Sequence, residues 1–228
     1  MLRLLAPLVV VFACAGIAPA QVPPTPGEIE AYRGLFAAAA KGDVPMIRKL
    51  ASQKGAKVDA RDARGRTPLI VAAFAGQRDA MRALAAAGAN PNALDDDRYD
   101  MVTIAAVAND LPTLEAALAL GNKASNITSR YDGTALIAAA HLGHAEIVRA
   151  LVIAGAPLDH VNNLGWTAVI ESIVLGDGGQ RHTETLVALI DGGANLNRPD
   201  GNGITPLHLA QARGFREMAK IIEAAGGR

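Results

Sequence analysis

Glu171 and the stretch Gly176-Asp177-Gly178-Gly179-Gln180-Arg181-His182 put a carboxylate, a basic group and an imidazole within a dozen positions of one another. This is where an enzyme site would lie if the chain had one, and it is the third-ranked reading. The reading preferred for these residues is structural: Glu171 pairs with Arg181 or His182. The glycines predict a flexible loop over 176–182, and such loops often carry function. Gly-Asp-Gly-Gly lacks the Lys-Ser/Thr that a phosphate-binding loop requires, so no nucleotide is implied. Of the five histidines, His141, His144, His160, His182 and His208, only His141 and His144 have a spacing that suits metal ligands on one short element. The one cysteine, Cys14, falls in the leader described below, so the processed chain holds no disulfide, thiolate nucleophile or cysteine-ligated zinc. No Gly-x-Ser-x-Gly elbow, nucleophile–base pair or paired carboxylates occur. The chain is read as a non-enzyme without metal or cofactor.

Composition points the same way. Half of the residues are hydrophobic but only 4% are aromatic. The bulk is Ala, Leu, Val and Ile, which suits short helices in close contact and suits a large ligand pocket poorly. Basic and acidic residues number 22 each. Loss of a leader containing Arg3 leaves 21 against 22, a net charge of −1. That is not the footprint of a nucleic-acid binder.

Residues 1–20 read as a signal peptide: Arg3 gives the positive start, Leu4 to Ile17 the apolar region, and Ala18-Pro19-Ala20 the cleavage site, leaving Gln21 first. An uncleaved anchor and lipidation at Cys14 are the less favoured alternatives. Residues 21–28 follow as an extended linker and helix start. Thr25-Pro26-Gly27-Glu28 has the cap, the N1 proline and the acid of a capping box.

The remainder, 29–228, is periodic. Gly55, Gly88, Gly121, Gly155 and Gly193 recur at gaps of 33, 33, 34 and 38. Thr67, Thr134, Thr167 and Thr205 run in phase, each opening a short apolar run, with Asp100 in the equivalent place of a third copy. In one copy Thr67 caps a helix, Pro68 takes N1, Leu69, Ala72 and Ala73 make an apolar face, and Gly76 closes the helix. A second helix presents Met81 and Leu84 inward before Gly88. Helices this short need neighbours to bury their faces, so the copies must fold as an array.

These copies resemble ankyrin repeats. Gly203-Ile204-Thr205-Pro206-Leu207-His208-Leu209-Ala210 matches the opening motif of that family, Gly143-His144-Ala145-Glu146-Ile147-Val148 its body, and Gly193-Ala194-Asn195-Leu196-Asn197 its end. The resemblance implies an all-α solenoid of about six helix-turn-helix repeats with short β-turn projections. It gives His144 a local hydrogen bond in the turn and His208 a place in the helix-opening motif. Departures fall in three copies: the first lacks Thr-Pro-Leu and suits a capping repeat, the third has Tyr99-Asp100-Met101-Val102, and the fifth carries the 176–182 insertion. The resemblance also implies protein binding through the projecting turns and the exposed side of each first helix. The residues it selects are Arg64, Arg66, Tyr99, Arg130, Tyr131, Asn163 and Trp166 at the turns, and Phe74 and His141 on first helices. Arg181 and His182 of the insertion complete the set. Trp166 is the sole tryptophan; it serves either as an interface anchor or as packing on the adjacent turn. The expected function is a monomeric interaction scaffold in the periplasm or outside the cell, with an unidentified protein partner in the envelope. A chaperone-like protector of a periplasmic enzyme is the second reading.

Overall fold

The computed structural model describes residues 21–228; the leader assigned to 1–20 lies outside them. Residues 21–25 are irregular, and α1 spans Pro26–Ala31. Its start is the expected capping box: Glu28 N–H donates to Thr25 Oγ1 at 3.2 Å, and Thr25 N–H donates to Glu28 Oε2 at 2.7 Å.

Six helix pairs follow: α2 (Gly34–Lys41) with α3 (Val44–Ala51), α4 (Pro68–Phe74) with α5 (Arg78–Ala86), α6 (Met101–Ala108) with α7 (Leu111–Ala119), α8 (Ala135–Leu142) with α9 (Ala145–Ile153), α10 (Ala168–Val174) with α11 (Gln180–Asp191), and α12 (Pro206–Ala212) with α13 (Arg216–Ala224). The caps explain where the first helices begin. Thr67, Asp100, Thr134 and Thr167 each accept from the backbone N–H three residues on. Asp100 therefore replaces threonine without changing the fold. Thr205 differs: its hydroxyl lies 2.8 Å from His208 Nδ1 instead. Two helix ends show why a left-handed residue is needed there. Gly143 ends α8 at φ +70°, and Asn109 takes the same role after α6 at φ +55°.

Each first helix packs on its own partner and on the first helix of the next pair, so the apolar faces merge into one seam along the stack. Ile47, Leu69, Met81, Leu84, Leu114, Leu136, Ile147 and Leu151 are fully buried in it, each worth about 1.5–3 kcal/mol of burial. The seam is rich in alanine, which allows the close helix approach expected from the composition. The first copy is a cap, as expected. Tyr32 at the end of α1 stacks on Phe36 with ring centroids 5.3 Å apart.

The insertion in the fifth copy is not a loop over its whole length. Only 175–179 is irregular; Arg181 and His182 lie in the first turn of α11, which runs to 12 residues. Asp177 pins the entry by accepting from Gly179 N–H at 2.9 Å. No helix among the described residues is long and apolar enough to cross a membrane. Projecting turns without strands join the pairs; the isolated bridge Thr128–Gly133 is the β pairing recorded among them.

Candidate partner-binding surface

Each projecting turn, or finger, is built around one short polar side chain. Asp62, Asp95, Asn162 and Asp200 stand five residues before the caps Thr67, Asp100, Thr167 and Thr205. Asp62 Oδ1 accepts from Arg64 and Arg66 N–H at 2.9 Å, and Asp200 Oδ1 from Asn202 and Ile204 N–H at 2.9 Å. Asn162 Oδ1 accepts from Leu164 and Trp166 N–H at 3.0 Å, while Asp95 Oδ1 accepts from Tyr99 N–H at 2.8 Å. Backbone bonds then join finger to finger. Asp96 N–H donates to Arg64 O, Ser129 N–H to Arg98 O, and Asn163 N–H to Tyr131 O, at 2.9–3.1 Å. The ion pair Arg98 Nη1–Asp132 Oδ1 at 2.7 Å braces two of them. The fingers form a continuous ledge rather than independent loops.

That ledge carries exposed apolar side chains on its last three fingers: Tyr131 is 42% exposed, Leu164 45% and Ile204 40%. Trp166 is half-buried beside them, immediately before its cap, in the register Ile204 takes in the next copy. Arg130 and Asn163 are also exposed on the ledge. Asn163 Nδ2 donates to Arg130 O at 3.0 Å, which fixes the Arg130 backbone. Arg64 is half-exposed on the second finger, its Nε 3.5 Å from Glu28 Oε1. Phe74 and Tyr99 are half-buried against Ile70, Ala93 and Ile104, a small apolar cluster separate from the main seam. Burial raises the Tyr99 hydroxyl above its ordinary range.

Arg66 is a correction. It was expected among the exposed binding residues, and its side chain is 1% exposed. Arg66 Nε donates to Asp62 Oδ2 and Nη2 to Glu28 Oε1, both at 2.7 Å, while Nη1 reaches Val22 O at 3.3 Å. The N-terminal segment folds back over the second finger, and Gln21 Nε2 donates to Thr103 O at 2.9 Å. The arginine is thus the clamp for that segment. The Thr25 cap bonds, aided by Arg66, hold the Glu28 carboxyl down at about 2.

The pairing expected for Glu171 is also corrected. Glu171 is buried at 4% exposure, with Oε1 accepting from Asn162 Nδ2 at 2.8 Å. Its Oε2 is buried without a hydrogen-bond partner and lies 3.7 Å from His141 Nδ1. Burial pushes the carboxyl up to about 7. Arg181 and His182 serve another end. Arg181 donates to Leu142 O, and His182 Nε2 lies 2.9 Å from His141 O. They occupy carbonyls at the C-terminus of α8 that have no partner within that helix. His182 is 8% exposed, which removes it from any docking surface. His182 Nδ1 is 2.8 Å from Asp177 Oδ1. His141 keeps a 41% exposed side chain, and burial of its remainder lowers its imidazole below the ordinary value. His144 does not bond locally: its Nδ1 is 2.9 Å from Ala106 O of the preceding copy. Among the described residues no group of three or more His, Cys, Asp or Glu is placed to hold a metal ion.

Sequence reasoning missed Asn162, which bonds the fifth finger and Glu171 at once. Its signal was available in the five-residue interval to the cap that it shares with Asp62, Asp95 and Asp200. A depression of about 770 Å³ between α3 and α5 is lined by Val44, Arg48, Asp79 and Arg82. It lies on the second helices, away from the ledge, and two of its charged groups pair with each other, Arg82 Nη2 donating to Asp79 Oδ1 at 2.9 Å.

Comparison with known proteins places this geometry. A model described as ankyrin repeats in three copies matches residues 23–95 and 102–200, and one described as ankyrin repeats in many copies matches 179–222. The chain is 33% identical over 190 residues to the ankyrin repeat protein YahD of Escherichia coli K12, covering 83% of this chain and 94% of that one. Among solved structures it resembles an ankyrin repeat domain from Acinetobacter baumannii AYE at 43% identity and a TM-score of 0.79, covering 85% of this chain and 98% of the other. It also resembles the ankyrin repeat domain of Bcl-3 at 27% identity and a TM-score of 0.77, covering 86% and 87%.

Proposed function

Because the chain belongs to the ankyrin-repeat family, we propose that it is a protein-binding scaffold exported by its leader to the periplasm or beyond, with the ledge of fingers as its docking surface. Repeats of this family mediate contacts between proteins. The observation that carries the reading is the run of exposed Tyr131, Leu164 and Ile204, with Trp166 between, on turns locked by backbone bonds. Aromatic and aliphatic anchors on a rigid support lose little conformational freedom on binding, and tryptophan and tyrosine are enriched among residues that dominate interface energies. Neighbouring fingers present them at successive steps of the stack, which fits an elongated segment of a partner.

The full chain used as bait against an envelope extract of its source organism tests the scaffold. A protein retained by the wild type and lost by a Tyr131→Ala/Trp166→Ala double variant is the expected result. Equal retention by both removes the ledge from the reading. Export is tested separately by N-terminal sequencing of the protein recovered from cells. A start at Gln21 in an envelope or extracellular fraction supports it, and an intact Met1 in the cytoplasm overturns it.

A further inference from the structure

Two departures from the repeat pattern meet at one point. Four residues after each cap the copies carry Val71, Ile104, Ala138, Glu171 and Leu209; seven after it they carry Phe74, Val107, His141, Val174 and Ala212. Every residue but two in these rows is apolar. Those two, Glu171 on α10 and His141 on the adjoining α8, are 3.7 Å apart. That separation is too long for a hydrogen bond. Glu171 Oε2 is left without a donor although it is buried. A carboxylate oxygen in that state destabilises the fold, and leucine or alanine would pack there at no such cost. Stability alone does not account for it.

Resting on the scaffold reading, we propose that Glu171 and His141 form the receptor for a basic side chain, arginine or lysine, projecting from the bound partner. The arriving N–H donates to Oε2, while Asn162 continues to hold Oε1. His141 is 41% exposed, which leaves its ring free to turn outward and admit the group. Asn162 also builds the turn that carries Leu164 and Trp166, so the receptor and the apolar anchors of the ledge share one support. The partner segment this describes is an extended one with a basic residue among apolar residues.

Binding of this kind is linked to protons. Burial raises the Glu171 carboxyl, and a bound cation draws it back down, so a proton leaves as the ligand arrives. Affinity therefore rises with pH through neutrality. The titratable groups around Glu171 do not reverse that sign. On α8, His141 is held below its ordinary value by burial and by His182, and any protonation of it at low pH repels the ligand further. On α11, His182 is engaged with Asp177 and His141 O. On α12, His208 faces Thr205, and beyond its end Arg213 donates to Gly176 O at 3.1 Å.

The test is selection of random displayed peptides on the immobilised full chain at pH 8, followed by affinity measurement on the peptides recovered. Enriched peptides should share a basic residue. Replacing that arginine by citrulline, or a lysine by norleucine, should weaken binding about tenfold or more, the worth of a charge-assisted bond. Glu171→Gln should weaken binding of the basic peptide by a similar factor and flatten its dependence on pH between 6 and 8. Thermal denaturation of Glu171→Gln verifies that it is folded, and Glu171→Leu supplies a second variant in the form the other copies use. Peptides without a shared basic residue, or equal affinity of wild type and Glu171→Gln, overturn this inference and leave the scaffold standing if Tyr131→Ala/Trp166→Ala abolishes their binding. Peptides that bind the double variant as well as the wild type defeat the scaffold's ledge, and failure of any peptide to enrich defeats both.

Discussion

Asn162 Nδ2 donates to Glu171 Oε1 at 2.8 Å, so a single side chain ties the fifth finger to the helix behind it. The bond satisfies only one of the two carboxylate oxygens. Burial outweighs that bond, so the group is more easily ionised in the unfolded chain than in the fold, and its effect on stability has a definite sign. The folded-state value, about 7, lies above the ordinary 4.5. A raised acid favours the folded state when protonated: the advantage is complete below about pH 4.5 and is lost as pH rises to about 7. The loss across that window is about 3 kcal/mol. Glu171→Gln removes the ionisation, so urea denaturation should show the variant gaining on the wild type between pH 5 and 8. A constant difference over that range would show that Glu171 is not buried as described.

Arg66 gives the opposite pattern. Its guanidinium neutralises Asp62 and Glu28 in a buried setting, and Tyr32 O–H also donates to Asp62 Oδ2 at 2.7 Å. Arg66→Met leaves two carboxylates without their cation, which should lower stability by about 3 kcal/mol at pH 7. It should also free the segment 21–25, detectable as protease cleavage near Val22 that the wild type resists. Both acids are held below their ordinary values, so their contribution is present above about pH 4.5 and disappears as pH falls through their folded values, near 2 for Glu28. The difference between variant and wild type should accordingly narrow in acid.

The same two residues show what the sequence could and could not reveal. The repeat, the caps and the glycines are local signals repeated in phase, and helix boundaries such as Thr67–Pro68 and Gly143 follow from them. The Thr25 capping box was legible for the same reason. Arg66 was not, because its burial depends on Glu28, 38 residues away, folding over it. For Glu171 the sequence points to Arg181 or His182, whereas its neighbours are Asn162 and His141. The difference arises because 176–182 reads as a loop, whereas Gly179 caps a helix that turns Arg181 and His182 toward the end of α8. Periodicity reports what each copy does to itself, and contacts between copies remain outside it.

Gly165 measures how tightly the ledge is built. It has φ +80°, and a Cβ there would stand 2.9 Å from Gly201 N and 3.0 Å from Gly201 Cα on the next finger. Both are backbone atoms, so no side chain can move aside. Gly165→Ala should cost about 1–3 kcal/mol through the left-handed backbone and the close approach together. Thermal denaturation measures the cost, and binding should weaken with it because the fifth and sixth fingers separate. A neutral substitution would mean that these fingers are not in contact in solution.

Trp166 can report directly on the ledge, because it is the only tryptophan in the chain. It is half-buried in the free protein, so the indole retains contact with water that a partner would displace. Binding should therefore shift its emission to shorter wavelength, in step with the amount of ligand added. Tyr131→Ala should reduce the affinity measured this way by about tenfold or more, the scale of an interface anchor. Tyr131 is 42% exposed, so its removal should move the melting temperature by no more than about 2–4 °C, the change expected for about 1 kcal/mol in a domain of this size. Lost affinity with an unchanged melting temperature assigns Tyr131 to the interface. A large fall in melting temperature makes it a packing residue, and unchanged affinity moves the docking surface away from the fingers.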